Sequence, residues 1–405
     1  MMMSLVNTKS IGNILTLRYD PTSQSRLQKI EYANFFPKSD ENKVTITENL
    51  LKKSISDSIN KLSPNRITLA LSSGIDSVLI LTLIRELFPE LKITCISAGF
   101  EENGEEVNIA REISRNQNCD FKELHLENFL NNLPMQISII GEPKWHYYWY
   151  FLAQEAKKSS SILFTGDGGD ELFGGYVFRY EKFLNTVHEK SDWIEKTKAY
   201  LNCHNRDWVE DQNQMFDTKL EFSWDEIYQN FKKYFDNDLP LLEQVFFADY
   251  NGKLMHDWIP AHDKIHSHFG ITNITPILDE KIIKLSCNIT PEKKYNIKTN
   301  QGKLILRKIL QNKNIQIENS KKGFSPNLIQ FWKNYGSELV NTYLNNSSIS
   351  NEKYISNSWI LSATQKANAL DIRYINKLLS VLSFEIWYRL FVTKEIKSDE
   401  TLLKS

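Results

Sequence analysis

Apolar residues along this chain alternate between two patterns. Residues 67–71 (ITLAL) are a short run of strand type, and residues 78–87 are apolar almost all round, as in a helix buried on most of its surface. The alternation recurs as strand 92–97, helix 105–117, strand 121–126, helix about 144–158 and strand 161–165. Strands separated by helices predict an α/β fold, a parallel sheet with helices on both faces. Upstream, a helix is predicted over 47–62. Within 10–35, "NILTLRYD" and "RLQKIEYANF" read as a hairpin, followed by the polar linker "PKSDENKVTITEN". Beyond about residue 175 strand signals fade into aromatic-rich helical segments. The division expected is 1–46, hairpin and linker; 47–180, α/β core; and 181–405, a helical C-terminal half.

Composition narrows the function classes. The 405 residues are 41% apolar and 12% aromatic, ample for large cores. The 49 basic and 50 acidic residues leave a net charge of −1 without a basic block, which argues against capture of nucleic acid or an anionic membrane. The N-terminus lacks a signal-peptide layout, and no run of about 18 apolar residues spans a bilayer. Cys95, Cys119, Cys203 and Cys287 are far apart, as expected of structural thiols in a reducing compartment, so the cytoplasm is expected.

Two turns carry candidate chemistry. Ser72-Ser73-Gly74-Ile75-Asp76-Ser77 joins strand 67–71 to its helix. Its residues fit either an ordinary turn with a Ser N-cap or a loop whose N–H groups and helix dipole favour an anion. The glycine-rich "TGDGGDELFGGY" (165–176) follows strand 161–165, and its glycines let backbone approach a ligand closely. Both turns fall at the carboxyl ends of strands, where open parallel sheets bind ligands. Asp76 and Asp170 are therefore expected around one Mg²⁺, which takes one or two carboxylates plus phosphate oxygens. The Walker pattern of Gly, four residues, then Gly-Lys-Ser/Thr is absent, so the loop suits a departing pyrophosphate better than a transferred γ-phosphate.

The first turn resembles the Ser-Gly-Gly-x-Asp-Ser loop of N-type ATP pyrophosphatases (the PP-loop). "TGDGGDELFGGY" narrows the likeness to the synthetase domain of asparagine synthetases and their β-lactam-synthetase and peptide-cyclase relatives. "SAGFEENGEE" (97–106), "GEP" (141–143), "DK" (263–264), "PILD" (276–279), "KLILR" (303–307), "KKGFSP" (321–326) and "FEIWYRLF" (384–391) follow in the family's order. The resemblance covers about residues 10–395. It implies attack of a carboxylic acid on ATP, giving an acyl-adenylate and pyrophosphate, and displacement of AMP by ammonia or an amine. By position, Leu71, Ala98, Thr165 and Gly166 would line the adenosine pocket. Ser72, Ser73, Gly74 and Ser77 would hold phosphates, and Asp76 and Asp170 the Mg²⁺. Lys321 matches a mobile lysine at the α-phosphate. Lys303 and Arg307, four apart on one helical face, would reach phosphate or an acidic substrate, unless they form a solvated basic face.

Departures from the family shape the rest. The chain starts Met-Met-Met-Ser rather than Met-Cys, and only 71 residues precede the loop. Nitrogen is therefore expected from ammonia, from a separate glutaminase or from an amine, and the isolated chain is not expected to hydrolyse glutamine. Thr272-Asn273-Ile274 replaces a Glu-x-Arg, and Asn319 replaces an arginine, so aspartate is not implied as the acid. Asp167 stands where asparagine synthetases carry Glu and β-lactam synthetases Tyr, a place from which a carboxylate orients an amine and takes its proton. A non-catalytic nucleotide-binding or glutaminase-partner scaffold and a β-lactam or peptide cyclase are the alternatives. His256, His262, His266 and His268 fall within thirteen residues. His262 and His266 have metal-ligand spacing, but helix polarity or substrate contact is the preferred reading.

Overall fold

The computed structural model describes residues 6–36, 38, 42–100, 104–317 and 326–403. Its centre is a five-stranded parallel sheet in the order β3-β2-β1-β4-β5, made of β1 (Arg66–Ala70), β2 (Lys92–Gly99), β3 (Asp120–His125), β4 (Ile162–Phe164) and β5 (Thr272–Ile274). Helices pack around it: α2 (Lys43–Leu62), α3 (Ile75–Leu87), α4 (Glu105–Asn116), α5 (Leu133–Ile140) and α6 (Trp149–Ser159). The α/β class is as the alternation predicts. Ile75 to Ile84 of α3 are all buried, as its nearly continuous apolar surface requires.

Strand order places the site. From β1 the sheet grows one way through β2 and β3 and the other way through β4 and β5. Leu69 pairs with Phe164, so the loops leaving β1 and β4 emerge side by side at the switch point.

Four expectations are corrected. No hairpin forms near the N-terminus: Thr8–Leu17 is helix α1, capped by Asn7, whose side chain accepts from the Ser10 N–H at 3.1 Å. Ile11 and Leu15 of α1 join a core built on the buried helix Ile372–Phe391, and this distant partner decides the conformation of a short apolar run that is ambiguous locally. The helix expected at 144–158 begins only at Trp149. Gly141 ends α5 in the left-handed region (φ 74°), and the side chains of Lys144, His146 and Tyr147 are drawn to Asp257. Strand signals also do not end near 175, because β5 pairs with β4. Its β-branched residues between Gly270 and Pro276 are too few to stand out. The helix expected from 47 starts at Lys43.

Lys377 of the helix Ile372–Phe391 is buried, and its ammonium donates to the carbonyls of Leu15 and Asp207. Among the described residues, no helix is long and apolar enough to cross a membrane.

Candidate active site at the carboxyl edge of the sheet

The loop after β1 is closed by its own hydroxyls. Ser77 Oγ accepts from the Ser72 N–H at 3.1 Å and lies 3.2 Å from Ser72 Oγ, while Ser72 Oγ accepts from the Gly74 N–H at 3.1 Å. Gly74 opens α3 without a side-chain cap, so the first-turn N–H groups and the dipole face the loop.

The turn after β4 leads into the short helix α7 (Gly169–Phe173) and folds onto Asp76. A Cβ on Gly169 would lie 2.2 Å from Asp76 Oδ1. A Cβ on Gly175 would lie 1.8 Å from Asp170 Oδ1 and 2.3 Å from Lys303 Cε. These two glycines thus make room for the site's own carboxylates and ammonium. Lys303 Nζ sits 2.5 Å from Asp76 Oδ2 and 2.6 Å from Asp170 Oδ1. Burial pulls the Lys303 pKa down, but Asp170 and Asp76 outweigh it and hold the ammonium charged. Lys303 reaches this place from a left-handed backbone (φ 55°) just before the helix Leu304–Gln311, outside the regular turn that the four-residue spacing assumed.

Both turns open onto a cavity of about 430 Å³, a size suited to a small-molecule site. Leu71, Ala98, Thr165 and Gly166, the residues that the resemblance assigns to adenosine, line it, and so do Ser72, Ser77, Asp76 and Asp170. Ser73 and Gly74 belong to the loop but do not line the cavity. Neither does Arg307, whose guanidinium donates to the carbonyls of Gly302 (3.0 Å) and Ile317 (3.2 Å). Lys321 and Asn319 lie outside the described residues.

Asp167 lines the same cavity. It accepts from Thr165 Oγ1 at 2.8 Å and Trp258 Nε1 at 3.0 Å, with His262 Nδ1 3.6 Å away. Burial raises its pKa, but His262, Trp258 and Thr165 more than offset this and hold the carboxyl at about 2. Glu171 goes the other way. Burial and the neighbouring Asp170 push it up to about 8, and Tyr176 donates to it at 2.6 Å.

The four histidines disperse. His256 Nδ1 lies 2.8 Å from the Ser23 carbonyl, His262 stacks on Trp149 behind Asp167, and His266 Nε2 accepts from Trp149 Nε1 at 2.7 Å. His268 packs edge-on against Phe269. Among the described residues no three metal-ligating side chains cluster.

Several lining residues escaped the sequence reading: Arg18, Trp149, Arg179, Lys253, Asp257 and Trp258. Asp257 and Trp258 fall inside the histidine-rich window, which was the one signal available. The others sit in segments of unremarkable composition.

A parallel sheet with an anion-type loop facing paired acids at its switch point is the architecture of the PP-loop α/β proteins. A family model described as asparagine synthase matches residues 48–389, and the chain belongs to that family. Over 436 aligned residues it is 25% identical to "Asparagine synthetase [glutamine-hydrolyzing] 1" of Bacillus subtilis, covering 96% of this chain and 66% of that protein. A putative glutamine-hydrolyzing asparagine synthetase of Methanocaldococcus jannaschii is 27% identical over 139 residues, 32% of this chain and 25% of the relative. A putative one of Mycobacterium tuberculosis is 33% identical over 117 residues, 27% of this chain and 18% of the relative. The chain thus spans less than two thirds of the length of the curated relatives it matches.

Proposed function

We propose that this protein makes an amide at the expense of ATP, releasing pyrophosphate and AMP through an acyl-adenylate. Convergence carries the reading: Asp76 and Asp170, from separate turns, meet on one cation beside a loop backed by a helix N-terminus. Their hard oxygen donors fit Mg²⁺, so these two carboxylates would hold it, and the bound ion would offset phosphate charge. Ser72 and Ser77 grip the β- and γ-phosphates once the hydrogen bonds between them are redirected, and Ser73 and Gly74 contribute loop backbone. Leu71, Ala98, Thr165 and Gly166 take the adenosine.

In this reading a substrate carboxylate oxygen attacks the α-phosphorus and the bond to pyrophosphate breaks. The nitrogen of ammonia, an amine, or ammonia from a separate glutaminase then attacks the acyl carbon, and AMP leaves. Lys303 and Lys321 balance charge on the phosphates. Arg307 holds Ile317, four residues before Lys321, to Gly302, so its part is to anchor that segment. Asp167, ionised throughout the working range, orients the amine by accepting a hydrogen bond; at about 2 it is a poor proton acceptor. Residues 47–180 serve as the ATP core and 181–405 complete the acceptor side.

Pyrophosphate release from ATP in the presence of a panel of carboxylic acids tests the proposal. Acid-dependent release is expected. ATP binding with no release for any acid would overturn it in favour of a nucleotide-binding scaffold.

A further inference from the structure

Away from the phosphate loop, the cavity meets charge of the opposite sign. Arg18 and Lys253 both line it, and both pair with the buried Asp207: Arg18 Nη1 is 3.4 Å from Oδ1 and Lys253 Nζ 2.6 Å from Oδ2. Two cations share one carboxylate, leaving a surplus of one positive charge. Among the described residues, the ion pairs beside it are balanced in themselves. Asp257 is taken by Lys144 (2.8 Å) and His146 (3.3 Å), with Glu142 and Lys264 completing that set. Arg179 has its own carboxylate in Asp249, at 3.5 Å. Lys377, which burial lowers to about 7, adds a further fraction of positive charge.

The geometry is built to keep Arg18 there. Its backbone is the left-handed cap of α1 (φ 74°), with the Arg18 N–H closing on the Ile14 carbonyl at 2.9 Å, which fixes where the side chain leaves the helix. Tyr19, the next residue, is seated on Gly252, where a Cβ would lie 2.7 Å from the Tyr19 hydroxyl oxygen. Residues 250–258 form a π-helix, whose wide turns carry Lys253, Leu254, Asp257 and Trp258 to the cavity. Arg18 Nε is buried and makes no hydrogen bond among the described residues. A buried, charged donor left over beside an uncompensated positive charge is matched by an anion.

We propose that Arg18 and Lys253, bridged by Asp207, are the specificity-determining residues of the acceptor pocket, and that they select an acid bearing a second anionic group besides the carboxylate that is activated. This rests on the amide-forming reading above.

Calorimetry on the full chain saturated with a non-hydrolysable ATP analogue tests it, using matched probes: succinate against butyrate, glutarate against valerate, and L-aspartate against L-asparagine. In each pair that binds, the dianion is expected to bind about tenfold or more tightly than its partner. Arg18→Met should bring the ratio close to one, and Arg18→Lys should restore part of it. Thermal melts confirm that both variants fold, since Lys253 still pairs with Asp207. The inference is overturned if no probe binds, if the members of each pair bind alike, or if the ratio survives Arg18→Met. Pyrophosphate release with the same acids separates the two proposals. Dianion-selective binding without release keeps the anion site and removes adenylation. Release that is equal for mono- and dianions keeps adenylation and removes the anion site.

Discussion

The cavity has two ends of opposite character. At the sheet edge, Asp76 and Asp170 converge on one lysine; at the far end, Arg18 and Lys253 converge on one aspartate. The acidic end is built largely from two continuous turns of neighbouring strands. The basic end is assembled from the first helix, a turn near residue 207 and a π-helix some 230 residues after Arg18. An acidic end suits a metal–phosphate pair, and a basic end suits an anionic organic acid. On the proposed reading, one cavity would take two negatively charged reactants, neutralising one through a recruited cation and the other through cations of its own.

The largest expected effect is at the acidic end. Asp76→Asn and Asp170→Asn should each lower Mg²⁺-dependent pyrophosphate release by about 10³-fold or more, given the ~3 kcal/mol typical of one lost charge-stabilising group and the added loss of a metal ligand. Thermal melts should show both variants folded, because Lys303 keeps the other acid. Near-normal release in either variant would remove that residue from the site.

Lys321→Ala should cost about 3 kcal/mol of barrier, roughly a hundredfold in kcat for pyrophosphate release. An unchanged kcat refutes the role given to it.

Lys303→Met probes the acidic end without chemistry. The buried Asp76 and the half-buried Asp170 would lose their shared partner, which should cost about 3 kcal/mol in urea unfolding. Adding Asp170→Asn should recover part of that loss, and Mg²⁺ should stabilise the single variant more than the parent. A single variant as stable as the parent would mean that the acids have other compensation.

Glu171 stands beside Asp170 at the acidic end. Its folded pKa, about 8, is above the ordinary 4.5, so the stability it contributes is complete below pH 4.5 and is lost as the pH rises to 8. His146 and His266, lowered by burial to about 4 and about 3, work in the opposite direction below 6.5. The difference between parent and Glu171→Gln is therefore the informative curve. It should change by roughly 3 kcal/mol between pH 5 and pH 8, with the variant losing less stability. A flat difference would mean that Glu171 is ionised when folded.

The smallest effect concerns Asp167. Turnover with ammonium should rise with pH as the free amine grows, and Asp167→Asn should keep that slope while lowering the rate about tenfold. A changed slope would show that Asp167 takes the proton.

The contrast between the two ends also explains what the sequence made legible. Asp76, Asp170 and the loop hydroxyls stand out because strand, turn and helix follow one another within a few residues, and local rules govern such stretches. The alternating core from 66 to 164 was legible for the same reason. Arg18 was not: "NILTLRYD" fits strand or helix, and only contact with the helix Ile372–Phe391 decides between them. Lys253 was equally hidden, because the π-helical winding that carries it to the cavity follows from a kink at Gly252 and its contact with Tyr19. β5 was missed because its three residues are too few to show a period.

Lys377 has a consequence in time. Its ammonium holds the Leu15 carbonyl across 362 residues of chain, and α1 shares its core with the helix that carries it. At roughly 5–20 residues per second of synthesis, α1 leaves the ribosome about 20–70 s before its seat exists. The β1–β4 core can close in that interval, so the end with Asp76 and Asp170 takes shape first and the end with Arg18 and Lys253 is finished last. A nascent chain stalled short of residue 372 should therefore bind an ATP analogue before it can distinguish succinate from butyrate.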